Sequence, residues 1–115
     1  MRTEIQELLG QAFRHHRSGE LAQAEKCYLE ILSLEPNQPD AIQYLGILAY
    51  QQEQYVKSVE WLERCASLGQ RSASLYTNLG AAYEKLNRPE KAIECYQQAI
   101  QIDPESLNAS FNLGL

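Results

Sequence analysis

The chain has 115 residues, with 15 acidic side chains against 10 basic ones and a net charge of −5. That length fits one domain, and with no basic stripe to neutralise phosphates the expectation is no nucleic-acid partner. No apolar run is long enough to span a membrane, and the opening MRTEIQELLG is polar and amphipathic rather than a signal peptide, so a cytoplasmic protein with no membrane partner is expected.

The dipeptide Leu-Gly stands at Leu45–Gly46 and returns at Leu79–Gly80 and Leu113–Gly114, each time 34 residues on. In the same register Ala24, Ser58 and Ala92 are small, while Tyr28, Leu62 and Tyr96 are large and apolar. Self-similarity at a fixed period means a stack of one supersecondary unit. With Pro36 and Pro104 as the fixed point, the units run 5–38, 39–72 and 73–106, and 107–115 begins a fourth. Each unit is expected to be two antiparallel helices, A and B.

In the first unit Gln11 and His15 replace the Leu and Tyr of the third, so helix A has the weakest pattern. Gly19 suits the left-handed backbone that ends a helix. Ala24 and Tyr28 then restore the pattern along helix B until Pro36. The second unit keeps Ile42, Leu45, Gly46 and Leu62 with small residues at Ser58 and Cys65, but has Ala49 for the aromatic and Gln70 for the proline. Glu60 and Arg64 stand at i, i+4, as on a solvated convex face. In the third unit Tyr76, Leu79, Gly80 and Tyr83 follow i, i+3, i+4, i+7, the stripe of an amphipathic helix. Asn87 follows it as a helix-ending residue, and Pro89 suits the first turn of helix B. Gly80, Ala92 and Ala99 are expected to let the two helix backbones approach closely. Pro104 stops helix B and biases Asp103 away from helical geometry. The final SFNLGL reads as the start of a helix A without its partner, which points to a cut through a longer array.

Residues 76 to 83, YTNLGAAY, with Ala92, Tyr96, Ala99 and Pro104, resemble the tetratricopeptide repeat. The resemblance implies an all-α, right-handed helical solenoid in a single domain over 1–115, built of three repeats and the first helix of a fourth. It further implies that positions 2, 5, 6, 9, 12 and 13 of each unit line a concave groove. Position 2 carries Gln6, Asp40, Ser74 and Asn108, and position 5 carries Leu9, Gln43, Thr77 and Phe111. Gly10, Tyr44, Asn78 and Asn112 stand at position 6, and Phe13, Ile47, Ala81 and Leu115 at position 9. His16, Tyr50 and Glu84 stand at position 12. From these the candidate peptide-binding set is Gln43, Tyr44, Ile47, Tyr50, Ser74, Thr77, Asn78, Ala81, Asn108 and Asn112.

This groove is mostly neutral-polar and aromatic. The family's carboxylate clamp for acidic chaperone tails wants Lys and Asn at positions 5 and 9, Asn at 6 in the next unit, then basic residues at 2 and 6. Leu9, Phe13, Tyr44, Ser74 and Asn78 do not meet it. Asn78 and Asn112 fit a different mode, because repeated amides can pair with the backbone of an extended peptide. That arrangement resembles the asparagine ladder in the tetratricopeptide arm of O-linked N-acetylglucosamine transferases. The stretches HHRSGELAQAEKCYLEIL and QPDAIQYLGILAYQ also resemble repeats that precede glycosyltransferase-like or sulfotransferase-like domains in bacterial proteins.

Cys27, Cys65 and Cys95 have no CxxC spacing and read as reduced packing thiols, with no metal or disulfide. His15 and His16 are adjacent, so on a helix they point about 100° apart and cannot clamp one ion. His15 falls on a packing position. No catalytic triad, phosphate loop or inward carboxylate pair can be assembled, so neither enzyme activity nor a cofactor is expected. The expected function is a scaffold-like interaction module for a protein or extended peptide. Two alternatives stand beside it: the substrate-recruiting arm of a transferase whose catalytic domain lies past Leu115, and self-assembly through exposed repeat ends at Phe111, Leu113 and Leu115.

Overall fold

The computed structural model describes residues 2–105, which form six α-helices and no strand. They are α1 (Arg2–Arg17), α2 (Leu21–Leu34), α3 (Pro39–Gln51), α4 (Tyr55–Ser67), α5 (Ala73–Lys85) and α6 (Pro89–Ile102). Helices pair as α1 with α2, α3 with α4 and α5 with α6, and the pairs stack in chain order through α2 on α3 and α4 on α5. The result is elongated, 42 × 25 × 21 Å, as expected when each unit touches only its neighbours. The fourth unit, with Asn108, Phe111, Asn112, Leu113 and Leu115, lies outside the described residues, and so does the self-association expected from it.

The turn between helices A and B is the same in all three units. Gly19, Glu53 and Asn87 take left-handed backbone, at φ of 79°, 61° and 62°. The next N–H then donates back into helix A: Glu20 to the His15 carbonyl and Gln54 to Ala49 at 2.8 Å, Arg88 to Tyr83 at 2.9 Å. With the bonds from Gly19 to His16, Glu53 to Tyr50 and Asn87 to Glu84, each helix A ends in a Schellman motif. Gly19 and Asn87 are legible signals for this turn. Glu53 is not, because a side chain with a Cβ sits there at a cost of about 1–2 kcal/mol.

Helix starts and stops follow local chemistry. The Gln38 carboxamide accepts from the Ala41 N–H at 2.8 Å and the Ser72 hydroxyl accepts from the Leu75 N–H at 3.1 Å, capping α3 and α5. Pro39 and Pro89 occupy the first turns of α3 and α6, where a missing N–H is harmless. Before Pro36 and Pro104, Glu35 and Asp103 are extended, at φ of −142° and −136°. The second unit lacks that proline, and Gly69 at φ 88° ends α4 instead.

The core falls into two clusters that share helix α3. Leu45 and Leu48 join Ile5, Leu8, Tyr28 and Ile31 on one side, while Ile42 joins Leu62, Leu75, Leu79 and Tyr96 on the other. The glycines at the A–B contact make room for the side chains packed over them. A Cβ on Gly80 would lie 2.6 Å from Cε1 of Tyr96, and one on Gly46 would lie 2.6 Å from Cγ of Leu62. At Gly46 backbone is also near, the Ser58 carbonyl at 3.4 Å. Ser58 itself is fully buried, and its hydroxyl donates to the Gly46 carbonyl at 2.8 Å, so a polar residue fits a slot that is alanine in the other units.

One surface expectation changes. Arg64 does not pair with Glu60; it donates to the Pro36 carbonyl at 2.6 Å and lies 5.6 Å over the Trp61 ring. A fixed carbonyl and a half-buried indole face outcompete a solvated carboxylate whose pairing gains little in water.

Candidate functional site

Helices α1, α3 and α5 stand side by side and are linked by side chains along one face. Phe13 of α1 meets Tyr44 of α3 edge-on at 4.9 Å, and Gln43 Nε2 of α3 donates to Ser74 Oγ of α5 at 3.3 Å. Residues three and four apart share a helix face, so Phe13, His16 and Arg17 of α1 turn toward Tyr44, Ile47 and Gln51 of α3. These six residues line an open cleft of about 440 Å³.

Behind the cleft lies an aromatic stack. The Tyr44 ring is stacked on the fully buried Tyr28 at 5.8 Å and 8°, and the His16 ring stands edge-on to both at 6.1–6.2 Å. Offset and edge-on ring pairs like these hold their members in place as well as burying area. His16 Nε2 is 2.8 Å from Gln51 Oε1 and its Nδ1 is 3.3 Å from the Tyr28 hydroxyl. A carboxamide oxygen only accepts, so Nε2 carries a proton, and in the neutral ring the Tyr28 hydroxyl donates to Nδ1. Burial, and secondarily the neighbouring Tyr44, pushes the Tyr28 phenol well above the usual tyrosine range, which keeps it a neutral donor.

The next cleft along the same face is different. Tyr50, Ala81, Glu84, Lys85 and Tyr96 line about 370 Å³. The Tyr96 hydroxyl donates to Glu84, and Tyr50 turns its ring edge-on to Tyr55 at 5.3 Å. Between the clefts, Thr77 Oγ1 donates back to the Ala73 carbonyl at 2.8 Å. Asn78 is half-buried, and its amide has no hydrogen-bond partner among the described residues.

Tyr44 and Ile47 therefore share the first cleft, Tyr50 and Ala81 the second, and Gln43 and Ser74 bridge two helices. Thr77 and Asn78 lie on α5 between them, while Asn108 and Asn112 fall outside the described residues. The candidate set omits four lining residues of the first cleft: Phe13, His16, Arg17 and Gln51. Phe13 and His16 stand at groove positions, but Arg17 and Gln51 stand at position 13, where the sequence reading names no residue. Their signal was the i, i+4 spacing from Phe13 and Ile47.

His15, expected to pack, is instead half-exposed and sits 2.9 Å from Glu20 Oε1. Its counterpart Tyr83 is covered by the preceding α4 and donates to Glu63 at 2.5 Å, whereas no described helix precedes α1. The thiols are poor nucleophiles. Burial first, then the Glu63 and Glu94 carboxylates, pushes Cys95 up to about 11, and burial likewise raises Cys27 and Cys65. Among the described residues no group of three or more His, Cys, Asp or Glu is placed to hold a metal ion, and no helix is long and apolar enough to cross a membrane.

Residues 8–74 and 73–106 match models of the tetratricopeptide repeat family. Among curated proteins, the peroxisomal targeting signal receptor of Candida albicans is 33% identical over 92 residues, covering 76% of this chain; the chain spans 16% of that receptor's length. An O-GlcNAc transferase mutant of Thermobaculum terrenum superposes with a TM-score of 0.91 at 26% identity, over 97% of this chain and 22% of that one. The first repeat domain of Spaghetti (RPAP3), solved bound to an HSP90 peptide, superposes with a TM-score of 0.92 at 17% identity, over 97% of this chain and 89% of that one; this likeness concerns the fold alone.

Proposed function

The chain belongs to the tetratricopeptide repeat family, and from that premise we propose that its A-helix face is a concave groove that binds a protein partner through an extended peptide or a helix. The chain then works as a cytoplasmic interaction scaffold with no catalysis of its own. The observation that carries this reading is the open aromatic cleft of Phe13, Tyr44 and Ile47, continued along the same face by the Asn78 amide, which has no hydrogen-bond partner among the described residues. The cleft offers apolar area held in place by ring contacts, which lowers the entropy lost on binding. The amide offers two donors and an acceptor to a passing backbone. Gln43, Ser74 and Thr77 line the path between the clefts, Tyr50 stands in the second, and Ala81 leaves room there for the ligand; Asn108 and Asn112 of the candidate set lie outside the described residues.

A second reading draws on the likeness to the O-GlcNAc transferase chain. In it the same groove recruits substrate for a catalytic domain encoded past Leu115, and extending the reading frame there separates the two.

Titration of a random peptide pool by fluorescence anisotropy tests the groove. Asn78→Ala should weaken every binder similarly, by about 0.5–1.5 kcal/mol for a net hydrogen bond lost. Its effect on folding should stay within about 0.5 kcal/mol. Tyr44→Ala should weaken chiefly those peptides with an apolar residue to pack. Unchanged affinity in both variants would move the binding surface elsewhere.

A further inference from the structure

The polar edge of the first cleft has one-sided chemistry. Gln51 already spends its carboxamide oxygen on His16, at 2.8 Å, which leaves its NH2 donors for a ligand. Both ring nitrogens of His16 are engaged, by Gln51 and Tyr28. Arg17 is exposed, lines the cleft, and has no hydrogen bond or ion pair among the described residues. The rim thus presents one cation and the Gln51 NH2 donors, and no carboxylate lines the cleft among the described residues. The opposite wall, Phe13, Tyr44 and Ile47, is apolar apart from the Tyr44 hydroxyl.

We propose that this cleft is a specificity subsite for an internal pair of adjacent peptide residues, one large and apolar and the other acidic. The apolar side chain packs between Phe13 and Ile47 over the Tyr44 ring, and the carboxylate takes the Arg17 guanidinium with the Gln51 amide. A carboxylate suits this rim because it only accepts, and because one guanidinium matches its two oxygens and single charge. A doubly charged phosphate would meet a single free cation. The acidic group comes from a side chain within the peptide, because the groove continues past the cleft through Gln43, Ser74 and Asn78 and the ligand runs on along it. This inference rests on the groove reading and assigns the chemistry of its first subsite.

The test uses ten-residue peptides, acetylated and amidated at their ends, with a central Leu-Glu, Leu-Gln or Ser-Glu in a Ser/Ala background. A fourth peptide ends in Leu with a free carboxylate. Affinities are measured by anisotropy at low and moderate salt. Leu-Glu should bind about tenfold tighter than either Leu-Gln or Ser-Glu, and added salt should shrink its margin over Leu-Gln. Arg17→Gln should abolish that margin by weakening Leu-Glu binding about tenfold and Leu-Gln binding far less, and the variant should keep the parent's melting curve. Equal affinity for Leu-Glu and Leu-Gln, a preference that survives Arg17→Gln, preference for the free terminal carboxylate alone, or no binding by any peptide would each overturn the proposal. If the peptides bind and Tyr44→Ala and Asn78→Ala weaken them without any preference for Glu over Gln, the subsite assignment fails alone. If neither of those variants affects bound peptides, the groove reading fails with it.

Discussion

The clefts between the first and second units and between the second and third are built from helix positions one period apart, yet they have little chemistry in common. In both the first and the third unit the helix B tyrosine directs its hydroxyl to position 12 of helix A, Tyr28 to His16 and Tyr96 to Glu84. In the first unit that partner is a ring which joins an aromatic stack and passes its other nitrogen to Gln51. In the third it is a carboxylate; the second cleft has Ala81 at position 9 where the first has Ile47, and Tyr50 of the second unit has turned to Tyr55. A fixed backbone repeat thus sets where a cleft lies, while a few substitutions decide whether it holds an apolar residue.

The A–B contact is where the two units can be driven furthest apart. Tyr96 lies over bare Gly80, while the first unit carries Ala12 at that position with Tyr28 beside it in the core. Even a methyl on Gly80 would meet the Tyr96 ring at 2.6 Å. Gly80→Leu should therefore cost about 3 kcal/mol or more. In so short a stack that should end cooperative unfolding. Gly80→Ala should cost less, about 1–3 kcal/mol. A melting temperature for Gly80→Leu within a degree or two of the parent would mean that Tyr96 readily adopts the placement of Tyr28.

Alkaline pH separates the units through an equivalent pair of cysteines. Cys95 is 8% exposed and raised from 9.0 to about 11, while Cys27 is only half-buried. Because the folded state holds the Cys95 proton more tightly, its contribution to stability is complete below pH 9 and is lost as pH rises toward 11. The loss reaches about 2–3 kcal/mol. Urea titrations from pH 8 to 11 should show a clearly shallower decline for Cys95→Ala and a smaller change, of the same sign, for Cys27→Ala. Equal slopes in all three proteins would remove the difference between these sites.

The turns supply the smallest and most local contrast. Glu53→Gly should raise stability by about 0.5–1 kcal/mol, since the left-handed penalty of a side chain slightly exceeds the entropy glycine loses on folding. Gly19→Ala should lower it by about 1 kcal/mol for the converse reason. Denaturant midpoints that move the other way would show that Glu53 gains something from its surroundings that outweighs its backbone strain.

The helix pairs and the stops at Gly19, Asn87, Pro36 and Pro104 were readable because each depends on near neighbours in the chain. Apolar spacing and backbone preference act over a few residues, and the 34-residue period multiplies the signal. The family resemblance put Tyr44, Ile47 and Asn78 at groove positions, and of these Tyr44 and Ile47 line one cleft. It did not find the Glu53 turn, since nothing in a glutamate announces a left-handed backbone; the tertiary hairpin imposes it. It assigned His15 to packing, whereas that ring is half-exposed beside Glu20 because no described helix precedes α1 to cover it. The first cleft runs diagonally across two units, joining positions 9, 12 and 13 of one to positions 6, 9 and 13 of the next. Sequence by itself determined the period, the helices and the face. Only packing between units decided that Arg17 and Gln51 would share a rim, because contacts between residues some 34 positions apart depend on how the helices are stacked and not on either helix alone.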